Sequence, residues 1–261
     1  MSVIAILCTL AIVLSITVFM VWASASIRSG VYVRAFCREK TDRKVVYLTF
    51  DDGPHPPETE RVLDVLRERG ARATFFLIGS KVSGNEAVLR RMLEEGHTLG
   101  LHTFSHAGTF PLMSFGKMLA DVNEGKRGVE SVAGKKISLF RPPFGVTNPT
   151  IAKVVRTLGL QTVGWDVRSF DTVYCKPSEH SCNSSGYSCK SSGHDWYVSV
   201  VERIMKQVRP GSVILLHDRL DGASDLLSLL LDRLTASGYD FAHALPNTLI
   251  SSSDSSETNL S

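Results

Sequence analysis

Asp51 and Asp52 stand side by side where the apolar run 45–50 ends, and Gly53-Pro54 forces a turn directly after them. Two adjacent carboxylates cannot both be buried and ionised without a cation, because desolvation and mutual repulsion both favour protonation. A metal ion or an arginine must therefore sit beside them. His102 and His106, four residues apart, face the same way if the backbone between them makes one helical turn. With one carboxylate they complete an Asp-His-His set with open positions for water, a set that zinc fits. Arg141 precedes Pro142 and Pro143, whose rings fix their own backbone and restrict the residue before them, so its side chain can be held against a carboxylate. Farther on come Asp171, in the run Trp165-Asp166-Val167-Arg168-Ser169-Phe170-Asp171, and the pair His217-Asp218. His97 begins an apolar run and reads as structural; His55 reads as decoration of the Gly53-Pro54 turn.

These residues need a scaffold, and the chain supplies a repeating one. Short runs rich in β-branched and aromatic residues at 45–50, 73–78, 97–101, 138–140, 161–165, 213–216 and 239–242 alternate with amphipathic stretches at helical spacing. Strands that alternate with helices are parallel and joined by right-handed crossovers. In such folds the site lies at the C-terminal ends of the strands. That is where Asp51 and Asp52, His102, Arg141, Asp171 and His217 fall.

A chain of 261 residues suits one α/β unit with a sizeable core. Its formal net charge of +3, from scattered lysines and arginines, gives no patch for nucleic acid. Residues 1–25 hold an apolar, uncharged run long enough to cross a bilayer, expected as an uncleaved anchor or signal. Residues 26–44 read as a basic juxtamembrane linker and 45–245 as the catalytic domain. Within that domain 176–194 is a polar, cysteine-containing insertion, and 246–261 is a polar tail. Cys8 lies in the apolar run; Cys37, Cys175, Cys182 and Cys189 are an even number, and two disulfides would staple the insertion in an oxidising compartment. The cations after the apolar run favour a cytoplasmic domain by the positive-inside rule. The cysteines and the access to an external glycan discussed below favour the opposite side.

Thr-Phe-Asp-Asp-Gly-Pro at 49–54, His-Thr-Phe-Ser-His at 102–106, Arg-Pro-Pro-Phe-Gly at 141–145 and Leu-Leu-His-Asp at 215–218, in this order, resemble the polysaccharide deacetylase family, the NodB-homology or carbohydrate esterase 4 group. The resemblance implies a distorted (β/α)7 barrel behind the N-terminal transmembrane helix. It also implies metal-dependent removal of N-acetyl groups from sugar polymers. Carried over by motif, Asp51 is the general base, Asp52, His102 and His106 hold a divalent metal, usually zinc, and Arg141 keeps Asp51 ionised. The Phe144 N–H helps stabilise the oxyanion, Leu215 lines the acetyl pocket, and His217, backed by Asp171, protonates the leaving amine. The departure is at 168–172, where many members have Asp-x-x-Asp-Trp and this chain has Arg168-Ser169-Phe170-Asp171-Thr172.

The expected protein is a monomeric, single-pass membrane enzyme with an extracytoplasmic domain. Its expected substrate is the N-acetylglucosamine units of an envelope glycan, peptidoglycan first. The alternatives are an O-acetyl esterase and a silent carbohydrate-binding relative. The presence of every motif residue from Asp51 to His217 speaks against the silent reading.

Overall fold

The computed structural model describes residues 2–173, 193–243 and 245, without the side chains of 193–195. The first helix, α1 (Val3–Ala25), is opened by Ser2, whose hydroxyl accepts a hydrogen bond from the Ala5 N–H. A helix of this length spans about 35 Å, more than the roughly 30 Å of a bilayer core. Length and composition alone also suit a signal sequence.

Then follow β1 (Ala35–Phe36), β2 (Val45–Asp51), α2 (Glu58–Glu68), β3 (Ala73–Leu77), α3 (Glu86–Glu94), β4 (Thr98–Leu101), α4 (Phe115–Ala133) and β5 (Leu139–Phe140). The chain continues through α5 (Pro149–Thr157), β6 (Gln161–Val163), β7 (Val167–Arg168), α6 (Gly193–Met205), β8 (Ser212–His217), α7 (Ala223–Ala236) and β9 (Asp240–Phe241). The strands form one curled sheet in the order β1-β6-β5-β4-β3-β2-β8-β7, with β9 joining the start of β2, and every ladder is parallel. The alternation of strands and helices allows a βα barrel or an open doubly wound sheet; the curled parallel sheet is the distorted (β/α)7 barrel that the family resemblance implies.

Two cores hold it. Val46, Leu48 and Phe50 of β2 and Ile214 and Leu216 of β8 point outward and pack under the helices. Tyr47, Phe76, Leu139, Val163 and Val213 point inward and fill the barrel. The period of two along each strand thus sends alternate residues to the two sides.

The stretch 26–44 corrects the linker reading. Within it, β1 pairs with β6, Arg38 forms an antiparallel bridge with Ser212 of β8, and the Glu39 N–H donates to the Gly211 carbonyl at 2.9 Å. These contacts tie β6 to the start of β8, so the sheet begins ten residues before the expected start of the domain, at Ala35 rather than Val45. A two-residue strand has too little periodicity to announce itself. The disulfide expectation also changes. Cys37 is a free thiol beside Gly164, where a Cβ would meet its Sγ at 2.6 Å, so the expected pairing does not include Cys37. Cys175, Cys182 and Cys189 lie outside the described residues, as do most of the insertion and the polar tail.

Candidate active site

Alternation along the strands delivers the site. On β2 the inward positions are Tyr47, Thr49 and Asp51; on β8, paired with it in register, they are Val213, Leu215 and His217, with Asp51 beside His217. Gly100 is the inward residue of β4, where a Cβ would come within 2.6 Å of the Phe76 ring, and two positions on stands His102. After β5, Arg141 follows inward-facing Leu139 at the same spacing. Four side chains from four strands therefore converge at one end of the barrel.

Arg141 is fully buried. Its Nη1 donates to Asp51 Oδ1 at 2.6 Å and to Thr49 Oγ1 at 2.9 Å, its Nε to the Val163 carbonyl at 3.1 Å and its Nη2 to the Gly164 carbonyl at 2.8 Å. The guanidinium lies 4.1 Å from the centre of the Phe76 ring. Hydrogen bonds on every side and an aromatic face below fix it so that one Asp51 oxygen is always taken. The other, Oδ2, stays 3.9 Å from His102 Nε2.

Asp52 faces the same space because its backbone turns into the left-handed region, φ 72°. Its Oδ1 lies 3.5 Å from His102 Nε2 and 3.3 Å from His106 Nε2. One donor atom from each of the three lies within 4.8 Å of the others, a candidate metal site. His102 Nδ1 lies 2.7 Å from the Arg141 carbonyl. A carbonyl only accepts, so Nδ1 carries the proton and Nε2 presents its lone pair to the cluster, as a ligating histidine must. The donor set fits a divalent ion. Burial pushes the Asp52 carboxyl up, but His102, His217 and His106 and the hydrogen bond from Arg219 outweigh it and hold it below its ordinary value. Burial and neighbouring His102 keep His106 below the ordinary imidazole value, and hence readier to offer a lone pair.

On the opposite side His217 Nδ1 lies 2.8 Å from Asp171 Oδ1, and the His217 N–H donates to Asp171 Oδ2 at 2.9 Å. Burial lowers the His217 pKa, yet Asp171, together with Asp51 and Asp52, more than offsets this and raises it. Leu215 is buried one turn of the pleat below. Phe144, with φ 61°, sets its ring 5.2 Å from that of His106. Thr172 stands where a tryptophan is common, but Trp165 lies against Gly145, where a Cβ would come within 2.5 Å of its ring, and 5.5 Å from the Arg141 guanidinium.

Two further residues touch the site. Arg219 Nε donates to Asp52 Oδ2 at 2.8 Å, and Lys81 Nζ donates to the Asp52 carbonyl at 2.7 Å. Arg219 lies two residues past His217, and the strand-end criterion that found His217 reaches it when carried that far. Lys81 lies beyond β3, and no motif marks it. Asp218 is buried, accepts a hydrogen bond from the Thr59 hydroxyl at 2.7 Å, and burial pushes its carboxyl up to about 6. His97 and His55 stay out of the site. His97 Nδ1 accepts the Ala73 N–H at the far end of β4, and the His55 N–H donates to Thr59 Oγ1.

A parallel barrel with an Asp-Asp pair split between an arginine and two histidines defines a class of carbohydrate-active hydrolase, and comparison with known proteins agrees. The polysaccharide deacetylase profile matches residues 38–163. The peptidoglycan-N-acetylglucosamine deacetylase of Bacillus cereus is 33% identical over 203 residues, 77% of this chain and 86% of that protein. A chitooligosaccharide deacetylase of Sinorhizobium fredii is 33% identical over 190 residues, 72% of this chain and 78% of that protein. Among solved structures, the peptidoglycan deacetylase PdaC from Bacillus subtilis is 30% identical, covers 77% of this chain and 87% of that chain, and superposes with a TM-score of 0.64. The chain belongs to the polysaccharide deacetylase family and is a hydrolase of that type.

Proposed function

We propose that this protein removes N-acetyl groups from N-acetylglucosamine units of an envelope polysaccharide, peptidoglycan first among them, with a divalent metal, most simply zinc, in its site. The observation that carries this is the division of the carboxylate pair. Arg141 occupies one oxygen of Asp51, and the two histidines face one oxygen of Asp52. Asp52 Oδ1, His102 Nε2 and His106 Nε2 would hold the ion. When bound, it supplies Lewis acidity toward the acetyl oxygen and makes water easier to deprotonate.

The chain's own groups do the rest. Asp51, with Oδ1 taken by Arg141, receives the proton of the attacking water on its free Oδ2. Water oxygen bonds to the acetyl carbon, the carbon–nitrogen bond breaks, and the products are acetate and a free amine. His217 gives the proton to the leaving nitrogen. With Nδ1 engaged by Asp171, that proton leaves from Nε2, and the upward shift of the pKa favours the form that carries it. We assign the Phe144 N–H to the oxyanion and buried Leu215 to the acetyl methyl.

Acetate release from peptidoglycan, chitin oligomers and acetylated xylan tests the reading. Chelation should abolish release and zinc restore it; activity indifferent to chelators overturns the metal. Asp51→Asn should keep metal affinity and lose at least about a thousandfold in turnover, the upper range for a general base. Asp52→Ala should lose both. Identical behaviour of the two variants overturns the split of roles. Release from xylan alone would make the protein an ester hydrolase.

A further inference from the structure

The last turn of α1 is sewn to the barrel, and the place of attachment is beside the site. The Thr147 N–H donates to the Ser24 carbonyl at 2.9 Å and the Thr147 hydroxyl to the Ala23 carbonyl at 3.3 Å. Ser29 returns to the Ala23 carbonyl at 2.9 Å. Ala23 and Ile27 are buried, whereas the helix before Ala23 is exposed along its whole length. Thr147 is three residues from Phe144, at most about 11 Å along the chain. The Phe144 ring in turn lies 5.2 Å from the ring of His106. The end of the helix and the mouth of the barrel are thus neighbours.

The loops around this joint are unlike the rest of the surface. Residues 107–116 and 142–152 carry no charged side chain. They are bound to one another, since Asn148 Nδ2 donates to the Pro111 carbonyl at 2.7 Å and Lys153 Nζ lies 4.3 Å over the Phe115 ring. Beyond α1, the large apolar side chains left exposed among the described residues are Val31, Leu112, Phe144, Phe170 and Val173. Leu112 is 85% exposed and Phe144 52%, both on these two loops, and Val31, 44% exposed, follows α1 directly. Exposed apolar groups gathered at the end of a bilayer-length helix mark a membrane-contacting surface. Along the chain Arg28 precedes Val31, and Lys117 and Lys153 directly follow the two uncharged loops, cations that suit an anionic headgroup level.

We propose that the mouth of the barrel rests on the phospholipid interface through Leu112, Val31 and Phe144, so that the site works on an N-acetylated glycan still held at the membrane by a lipid. The surface rests on α1 as an anchor, and the substrate class rests on the deacetylase reading. A rigid joint at Thr147 fixes both the height and the direction of the opening, which favours sugars within reach of the headgroups over polymer farther out.

The test uses the full chain in nanodiscs of phosphatidylethanolamine and phosphatidylglycerol. A photoreactive benzoylphenylalanine at Leu112 should give lipid adducts, and one at Arg43, just before β2 at the opposite end of the sheet, should give none. No adduct at 112, or equal yields at both positions, overturns the surface. In the same discs Leu112→Asp should slow acetate release from a polyprenyl-diphosphate-linked N-acetylglucosamine glycan at least about tenfold. Release from soluble oligomers should stay within about twofold. Equal effects on the two substrates overturn the substrate class. Adducts at 112 without acetate from any glycan would support the surface and overturn the deacetylase reading, so the two failures are distinct.

Discussion

Where helices return to strands, at the N-terminal end of the sheet, the chain reverses on glycine: Gly70, Gly96, Gly134, Gly159, Gly211 and Gly238 have φ between 59° and 79°. At the opposite end glycines share the left-handed region with residues that carry side chains, Asp52, Thr103, His106, Phe144 and Phe170, at φ from 48° to 72°. Glycine adopts this conformation without steric cost, whereas each other residue gives up about 1–2 kcal/mol. The strain sits at the end that aims side chains at one point. Asp52 and His106 reach the candidate metal site from such backbones. One end of the barrel is built for stability, the other for placement.

The two histidines that flank β4 repeat the contrast. His97, entering the strand, uses Nδ1 to accept the Ala73 N–H at 3.2 Å, and burial lowers its pKa to about 4. His102, leaving the strand, uses Nδ1 to donate to the Arg141 carbonyl at 2.7 Å. The same side chain is a neutral structural acceptor at one end and a lone pair aimed at the cluster at the other.

The comparison can be broken at its strongest point first. Arg141→Met leaves Asp51 buried without its partner and should cost about 3–5 kcal/mol of stability in a urea melt. Adding Asp51→Asn should restore part of it; a loss under about 1 kcal/mol would mean that the mouth is not held by this pair.

At the other end His97 makes stability depend on pH. Its folded pKa is depressed, so its contribution is complete above the unfolded value near 6.5 and falls as pH drops from there toward about 4. The total loss should approach about 3 kcal/mol. In His97→Gln the difference between melts at pH 7 and pH 4.5 should shrink accordingly, with acetate release at pH 7 retained.

The smallest effect belongs to the turns. Gly96→Ala places a Cβ at φ 79°, 2.9 Å from the Arg72 guanidinium, whose flexible end can yield. It should cost about 1 kcal/mol and leave turnover intact. A change in turnover would erase the division of labour between the two ends.

Much of this was legible in the sequence for local reasons. β-branched runs and amphipathic stretches report their own periods, and residues just past a strand reach the mouth of a parallel barrel. Asp51, His102, Arg141 and His217 are therefore found by position and chemical type together. Other features are matters of long-range placement. Arg219 meets Asp52 across 167 positions of chain, and β1 closes the sheet with only two residues. Cys37 stands free beside Gly164, more than a hundred positions along the chain. No local pattern encodes such distances.

The sequence by itself determined the alternation, the identity of the reactive groups and the apolar helix at the start, because each depends on residues within a few positions of one another. Only the tertiary structure decided which oxygen of which aspartate meets Arg141, Arg219 or the histidines. It alone tied the end of α1 to Thr147 beside the site. Those outcomes depend on how the separate strand ends are brought together, and a one-residue shift in register would turn each inward side chain outward.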